Sequence, residues 1–206
     1  MARRTKEEAR LTRDRILDAA ELEFQRHGVS RTSLQNIARA AGVTRGAIYW
    51  HFEDKAHLFD AMLKRVTLPL EQAIHRSGDP QLPDPVAHVR KSFTEALRRT
   101  VDDPQARRVF EIATQKVEYV DELKVVGERR LQGRSQRIAQ VERGLASAMR
   151  HGSLARGVPA RAAAIGLHAL IDGLIQSWIL DPDSFDLMRV GKQAIDTYLK
   201  GLGRTQ

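Results

Sequence analysis

The 206-residue sequence predicts an all-α protein, with a small three-helix unit at the N-terminus, a larger helical body behind it and about nine helices in all. Three observations carry that expectation. Apolar residues recur at i, i+3, i+4 and i+7 along most of the chain, and strand-like alternation is nearly absent. Glycine and proline fall between the periodic runs, where helices start and stop. Finally, 42% hydrophobic and 29% charged residues is the balance of a globular chain long enough to bury a core, not of a disordered one.

Taken in order, Ile16, Ala20 and Phe24, joined by Leu17, form the first apolar ridge, which His27-Gly28 closes. In "RTSLQNIARAAG", Thr32 with Gln35 has the form of a capping box, and Leu34, Ile37, Ala38 and Ala41 give the next ridge until Gly42 stops it. Thr44 can cap a short helix to His51 whose inward residues are Ala47 and Ile48. Phe52 is expected to plug that helix against Phe24 and Leu34. A longer helix, Asp54 to His75, runs on Leu58, Phe59, Met62, Leu63 and Val66. "SGDPQLPDP", Ser77 to Pro85, reads as an interhelical loop. Helices follow over Val86–Val101, Pro104–Gln115, Asp121–His151, Pro159–Leu180 and Ser184–Leu202, with Pro104 and Pro159 suited to a first turn. The expected division is residues 1–53 and 54–206.

The pair Thr32–Ala41 and Thr44–His51 has helix-turn-helix form: Ala38 where the helices cross, glycine in the turn and Val43 after it. That arrangement gives a purpose to the odd stretch "GVTRGAIYWHF", where aromatics, arginine and histidine crowd a few turns. Thr44, Arg45, Gly46 and Ala47 are small or hydrogen-bonding, as a helix entering a major groove requires, and Arg45 suits bidentate contact with guanine. Gly46 allows close approach of a phosphate or base. Tyr49 and His51 can donate to flanking phosphates. Lys55 adds charge in the next helix's first turn, and Thr32 and Trp50 complete the expected DNA-facing set.

Composition narrows the alternatives. The chain has no cysteine, so disulfides, thiolate metal sites and a cysteine nucleophile are excluded, and a reducing cytoplasm fits. Its seven histidines lack zinc-ligand spacing, and no GxSxG, P-loop or dinucleotide fingerprint occurs, which argues against an enzyme and against any metal or cofactor. "DPDSFD" lacks calcium-loop spacing and reads as a turn and helix cap. The stretch Ala162 to Leu180 could span a bilayer by length, but His168, Asp172 and Gln176 stripe one face, as in a helix buried in protein; no membrane partner is expected. The charged N-terminus is not a secretory signal. Net charge is +8, yet residues 1–60 hold 11 Lys+Arg against 9 Asp+Glu, so charge permits DNA binding without locating it.

From Ile16 through Leu58 the chain resembles the DNA-binding domain of TetR-family regulators, in the spacing "T…IA..AGV…..IY.HF..K..L" from Thr32 to Leu58. "RRTKEEA", "GVTRGAIYWHF" and "DGLIQSWILDPDSFDL" are similar to the AcrR/TtgR-like branch. The resemblance implies a dimeric repressor of double-stranded operator DNA, controlling a multidrug efflux operon and released by a small hydrophobic or aromatic effector. It places the ligand cavity in the C-terminal helices, walled by Phe93, Ala96, Phe110, Thr114, Arg137, Val141, His168, Ile171, Asp172 and Gln176, and makes the last two helices the homodimer seam. Phe110 and Thr114 depart from the polar residues that relatives carry there. A regulator of catabolic or lipid-metabolism genes is the alternative within the family. An architectural DNA binder is disfavoured by the large domain behind the reader.

Overall fold

Nine α-helices and one 3-10 turn make up the regular structure of the described residues, and no strand occurs among them. The computed structural model describes residues 2–77, 79, 83–155 and 157–203, with the side chains of 2–5, 69–70 and 73–77 set aside. In chain order the helices are α1 (Ala2–His27), α2 (Leu34–Ala40), α3 (Arg45–His51), α4 (Lys55–Ser77), α5 (Pro85–Asp102), α6 (Pro104–Gln115), α7 (Lys124–Arg150), α8 (Ala160–Leu180) and α9 (Leu187–Leu202), with the 3-10 turn at Asp121–Leu123 before α7. The all-α expectation holds. Much of the expected loop from Ser77 to Pro85 lies outside the described residues.

One local expectation needs correction. The box that opens α2 is formed by Ser33 and Asn36, not Thr32 and Gln35: Ser33 Oγ accepts from Asn36 N at 3.1 Å, and Ser33 N donates to Asn36 Oδ1 at 3.2 Å. Thr32 is buried instead, its hydroxyl donating to Gly28 O at 2.8 Å. Both residue types can cap, so burial of the threonine methyl decides which does. Helix α1, whose start the sequence does not mark, begins at Ala2, well before the apolar ridge.

The chain forms two compact units, Met1–Val66 with Arg108–Arg130, and Thr67–Arg107 with Leu131–Gln206; α4, α6 and α7 contribute residues to both.

In the first unit, Ile16, Leu17 and Phe24 of α1 are buried, as are Ile37 of α2, Ile48 of α3, and Leu58, Phe59 and Met62 of α4. Phe24 and Phe59 meet edge to face at 5.7 Å, a favoured aromatic geometry. Gly28 (φ +78) and Gly42 (φ +64) adopt left-handed backbone where α1 and α2 end, a conformation that favours glycine. Glu21, buried on α1, is neutralised by Arg65 of α4 and by Arg108 of α6 at 3.7 Å; Arg65 also holds Asp18 at 2.7 Å. A buried carboxylate needs such partners. The segment 116–130 packs on the same unit: Val29 N donates to Lys116 O at 2.9 Å, Tyr119 faces Phe59 at 6.4 Å, and Arg129 pairs with Asp60 at 3.1 Å.

In the second unit, α5, α8 and α9 pack together with α7 around Phe93, Leu97, Val141, Leu145, Leu167, Ile171, Ile195 and Leu199. Gly191 lets α9 close on Leu97 of α5, because a Cβ there would meet Leu97 Cγ at 3.3 Å. Tyr198 crosses from α9 to donate to Ala163 O on α8 at 3.0 Å. Asp186 caps α9, accepting from Arg189 N at 2.9 Å, so "DPDSFD" is indeed a turn and cap. Helix α8 has the length and mean hydropathy (1.4) of a membrane-crossing segment, but Ala163, Ala164, Leu167, His168, Ile171 and Trp178 are buried within this unit.

Candidate functional site

The chain places a short, well-capped helix on the surface of the first unit. Thr44 sits in extended backbone (φ −72, ψ 158) and its Oγ1 accepts from Ala47 N at 3.1 Å, which starts α3 as expected. The turn before it is tied by Gly42 N to Arg39 O at 3.1 Å and Val43 N to Ala38 O at 3.0 Å, which fixes α2 against α3. Ile48 is the single fully buried residue of α3, and Phe52, also fully buried, locks its end.

Everything else on α3 faces outward to some degree. Thr44, Arg45 and Gly46 are exposed and Ala47 is half-buried, so of the two residues expected inside only Ile48 is fully so. Tyr49 is 47% and Trp50 73% exposed, a large apolar area for a folded surface to leave open. Arg45 stacks on Tyr49 at 5.7 Å, and the Trp50 ring meets His51 edge-on at 4.5 Å. A Cβ built on Gly46 would find only Thr44 Oγ1, at 3.9 Å. Nothing inside the protein therefore requires glycine there, although glycine weakens a helix.

His51 is half-buried, and its pKa lies below the ordinary imidazole value because burial, and then the nearby Arg13 charge, disfavour the cation. Lys55, at the start of α4, is mostly buried: its ammonium is 2.8 Å from Glu122 Oε1 and 3.5 Å from Ser30 O. Thr32 is turned inward, and the exposed Ser33 holds the neighbouring cap. Neither Arg13 nor Glu122 was expected near this surface. Both are distant in sequence from what they touch, and no spacing signals them.

The residues expected to line a ligand cavity are distributed over both units. Phe110 and Thr114 belong to the first, where Phe110 is half-buried and Thr114, exposed, donates to Phe110 O at 2.8 Å. The other eight belong to the second. Phe93, Val141 and Ile171 are buried in its core, Ala96 is half-buried, and Arg137 pairs with Glu71 at 3.2 Å. His168 is buried with Nδ1 3.1 Å from Asp172 Oδ2, within ion-pair distance but without hydrogen-bond geometry, and Gln176 is exposed. An open groove of about 680 Å³ in the second unit, floored by Val86, Leu154 and Leu199 and edged by Arg90 and Lys200, has none of the ten in its walls.

Two short helices joined by a glycine turn, the second exposed and studded with donors, have the form of the helix-turn-helix found in DNA-binding regulators. Comparison with known proteins places it more closely. Residues 16–62 match the bacterial regulatory proteins of the tetR family, and residues 84–203 match the C-terminal region of MAATS-type transcriptional repressors. The chain is 39% identical over 199 residues to the HTH-type transcriptional regulator TtgR of Pseudomonas putida, covering 97% of this chain and 95% of the relative. It superposes with a TM-score of 0.86, at 40% identity, on NalD, described as the secondary repressor of the MexAB-OprM multidrug efflux pump in Pseudomonas aeruginosa, covering 96% and 98% of the two chains. A SmeT–triclosan complex is similar at 34% identity and a TM-score of 0.86, covering 94% and 92%. The chain belongs to the TetR family of transcriptional regulators.

Proposed function

We propose that the protein is a ligand-responsive repressor that binds operator DNA as a homodimer in the cytoplasm, is released by small hydrophobic or aromatic compounds, and controls a multidrug efflux operon. The observation that carries this reading is Gly46: a helix-weakening residue with no crowding neighbour over it, beside exposed Arg45 and Tyr49. A surface kept bare at a cost in helix stability makes sense where another molecule must come close. Thr44, Arg45 and Ala47 would meet base edges, while Tyr49, Trp50, His51, Lys55 and the exposed Ser33 would meet the backbone, the buried Thr32 only supporting that corner from within.

The dimer is supported by α8. Ala162, Ile165, Ala169, Gly173 and Leu180 are exposed along it, and Gly173 has nothing within 4 Å of a built Cβ. Small and aliphatic residues left uncovered at helical spacing suit close packing against a second copy. Two copies would set their reading helices about 34–36 Å apart, one turn of DNA. An effector that binds better to a wider spacing would release the DNA, with α4 carrying the change. The efflux assignment leans on what NalD is said to repress, and the effector class on SmeT being found with triclosan.

The test is a titration of a labelled fragment from upstream of the protein's own gene, followed by a panel of aromatic antimicrobials. Salt-sensitive binding released by several unrelated compounds is the expected result. Binding that only a metabolite releases would move the protein to catabolic or lipid regulation. No sequence preference at all would sink the repressor reading.

A further inference from the structure

The cation expected to reach for DNA is already engaged. Lys55 Nζ lies 2.8 Å from Glu122 Oε1, with the lysine side chain 12% and the glutamate side chain 52% exposed. Glu122 sits in the connector between α6 and α7, in the same compact unit as the reading helices. The connector is anchored on both sides of it. Before it, Tyr119 packs on Phe59 and donates to Ala113 O at 3.0 Å, while Arg130 bonds both Tyr119 and Ala113 O. After it, Leu123 is buried. Between these anchors Asp121 has φ +48, the only positive φ at a non-glycine residue among the described residues. Aspartate is among the few residues besides glycine that tolerate left-handed backbone, and here it turns the chain sharply between the two anchors. Here the residue that follows it carries the carboxylate facing Lys55.

We infer that Glu122 competes with DNA phosphate for the ammonium of Lys55, acting as a built-in brake on DNA affinity. The inference rests on the DNA reading proposed above and names a regulation of that surface. The ammonium has three donors, and two of them are already directed at Glu122 Oε1 and Ser30 O, so a phosphate meets a lysine whose charge is neutralised and whose position is held by Glu122. The pair is well placed for exchange. Its carboxylate is half in water, so separating it is cheap, unlike a fully buried pair. A shift of the connector that tightens or loosens the pair changes the charge offered to DNA without moving α3.

The experiment compares the full-length wild type with E122Q, E118Q, K55M and K55M/E122Q. Each is titrated onto the upstream fragment and onto an unrelated duplex of equal length, at several salt concentrations. Glu118 is exposed on the same connector, so E118Q makes the same charge change without touching Lys55. The expected result is that E122Q binds both duplexes about two- to five-fold more tightly, since a pair with one half-exposed partner contributes modestly. Its salt dependence steepens by about one phosphate contact. E118Q shows less of this, and K55M removes the gain. The inference is overturned if E122Q binds no better than wild type or E118Q, if it binds worse, or if its gain survives in K55M. A wild type that binds neither duplex would instead bring down the DNA reading, and the brake with it.

Discussion

The guanidinium of Arg13, on α1, lies 5.1 Å from the centre of the Phe52 ring at the end of α3. That contact ties the reading helix to the first helix at the point where His51 precedes Phe52. It also brings a fixed positive charge to the imidazole, adding to burial in holding His51 neutral.

A pH dependence follows from that. His51 has a folded pKa below its unfolded value, so on acidification the unfolded chain takes up its proton first. The native state's advantage is then intact above about pH 6.5 and declines as pH falls through that range. Urea melts at pH 7.5 and 5.5 should show a smaller loss for His51→Gln than for wild type. Arg13→Ala should raise the His51 titration midpoint in an NMR titration; an unmoved midpoint would remove the arginine from the account.

Gly46→Ala should split two properties usually lost together. With only an ordinary contact to Thr44 Oγ1 at 3.9 Å, alanine should stabilise the fold by up to about 1 kcal/mol in thermal melts. Operator affinity should fall at the same time. A variant both more stable and equally good at binding would mean that nothing approaches this point.

Arg45→Ala tests base readout. Discrimination between the operator and single-base variants should drop by about 1–3 kcal/mol at one position of each half-site. Relative affinities that stay put would assign Arg45 to the backbone.

Ile165→Lys places a charge in the uncovered face of α8. Sedimentation equilibrium should give a dimer for wild type and a monomer for the variant, with helical content kept because Ile165 is already 42% exposed. A variant that remains dimeric would move the seam elsewhere.

Gly191→Ala probes the second unit's core. The new methyl would press on the terminal methyls of the fully buried Leu97, which must turn within a packed core, so overpacking should cost about 1–3 kcal/mol in chemical denaturation. A loss below about 0.5 kcal/mol would mean that α5 and α9 can part there at little expense.

What the sequence disclosed follows from how local each signal was. Thr44, Gly42 and Gly28 act within four residues of their own positions, so the reading helix and its turn were legible. Thr32 misled because its neighbour Ser33 caps equally well, and only tertiary burial separates them. The start of α1 was hidden because its first turns have no apolar stripe; there the helix carries i, i+3 and i, i+4 pairs, Arg10 with Glu7 at 2.6 Å and with Asp14 at 3.7 Å. The contacts of Lys55 with Glu122 and of Glu21 with Arg108 join residues far apart in the chain, where periodicity says nothing. The expected cavity residues came from resemblance alone, which transfers positions but not the side chains' surroundings.

The inclusion of residues 108–130 in the first unit matters to anyone who would transplant its specificity. A chimaera joined only at a seam after Val66, within α4, would take its reading head from one parent and Lys116, Tyr119, Glu122 and Arg129 from the other. Val29, Phe59, Lys55 and Asp60 would then meet foreign partners. Exchange among relatives is therefore a two-segment graft, and a single crossover delivers a mismatched hybrid.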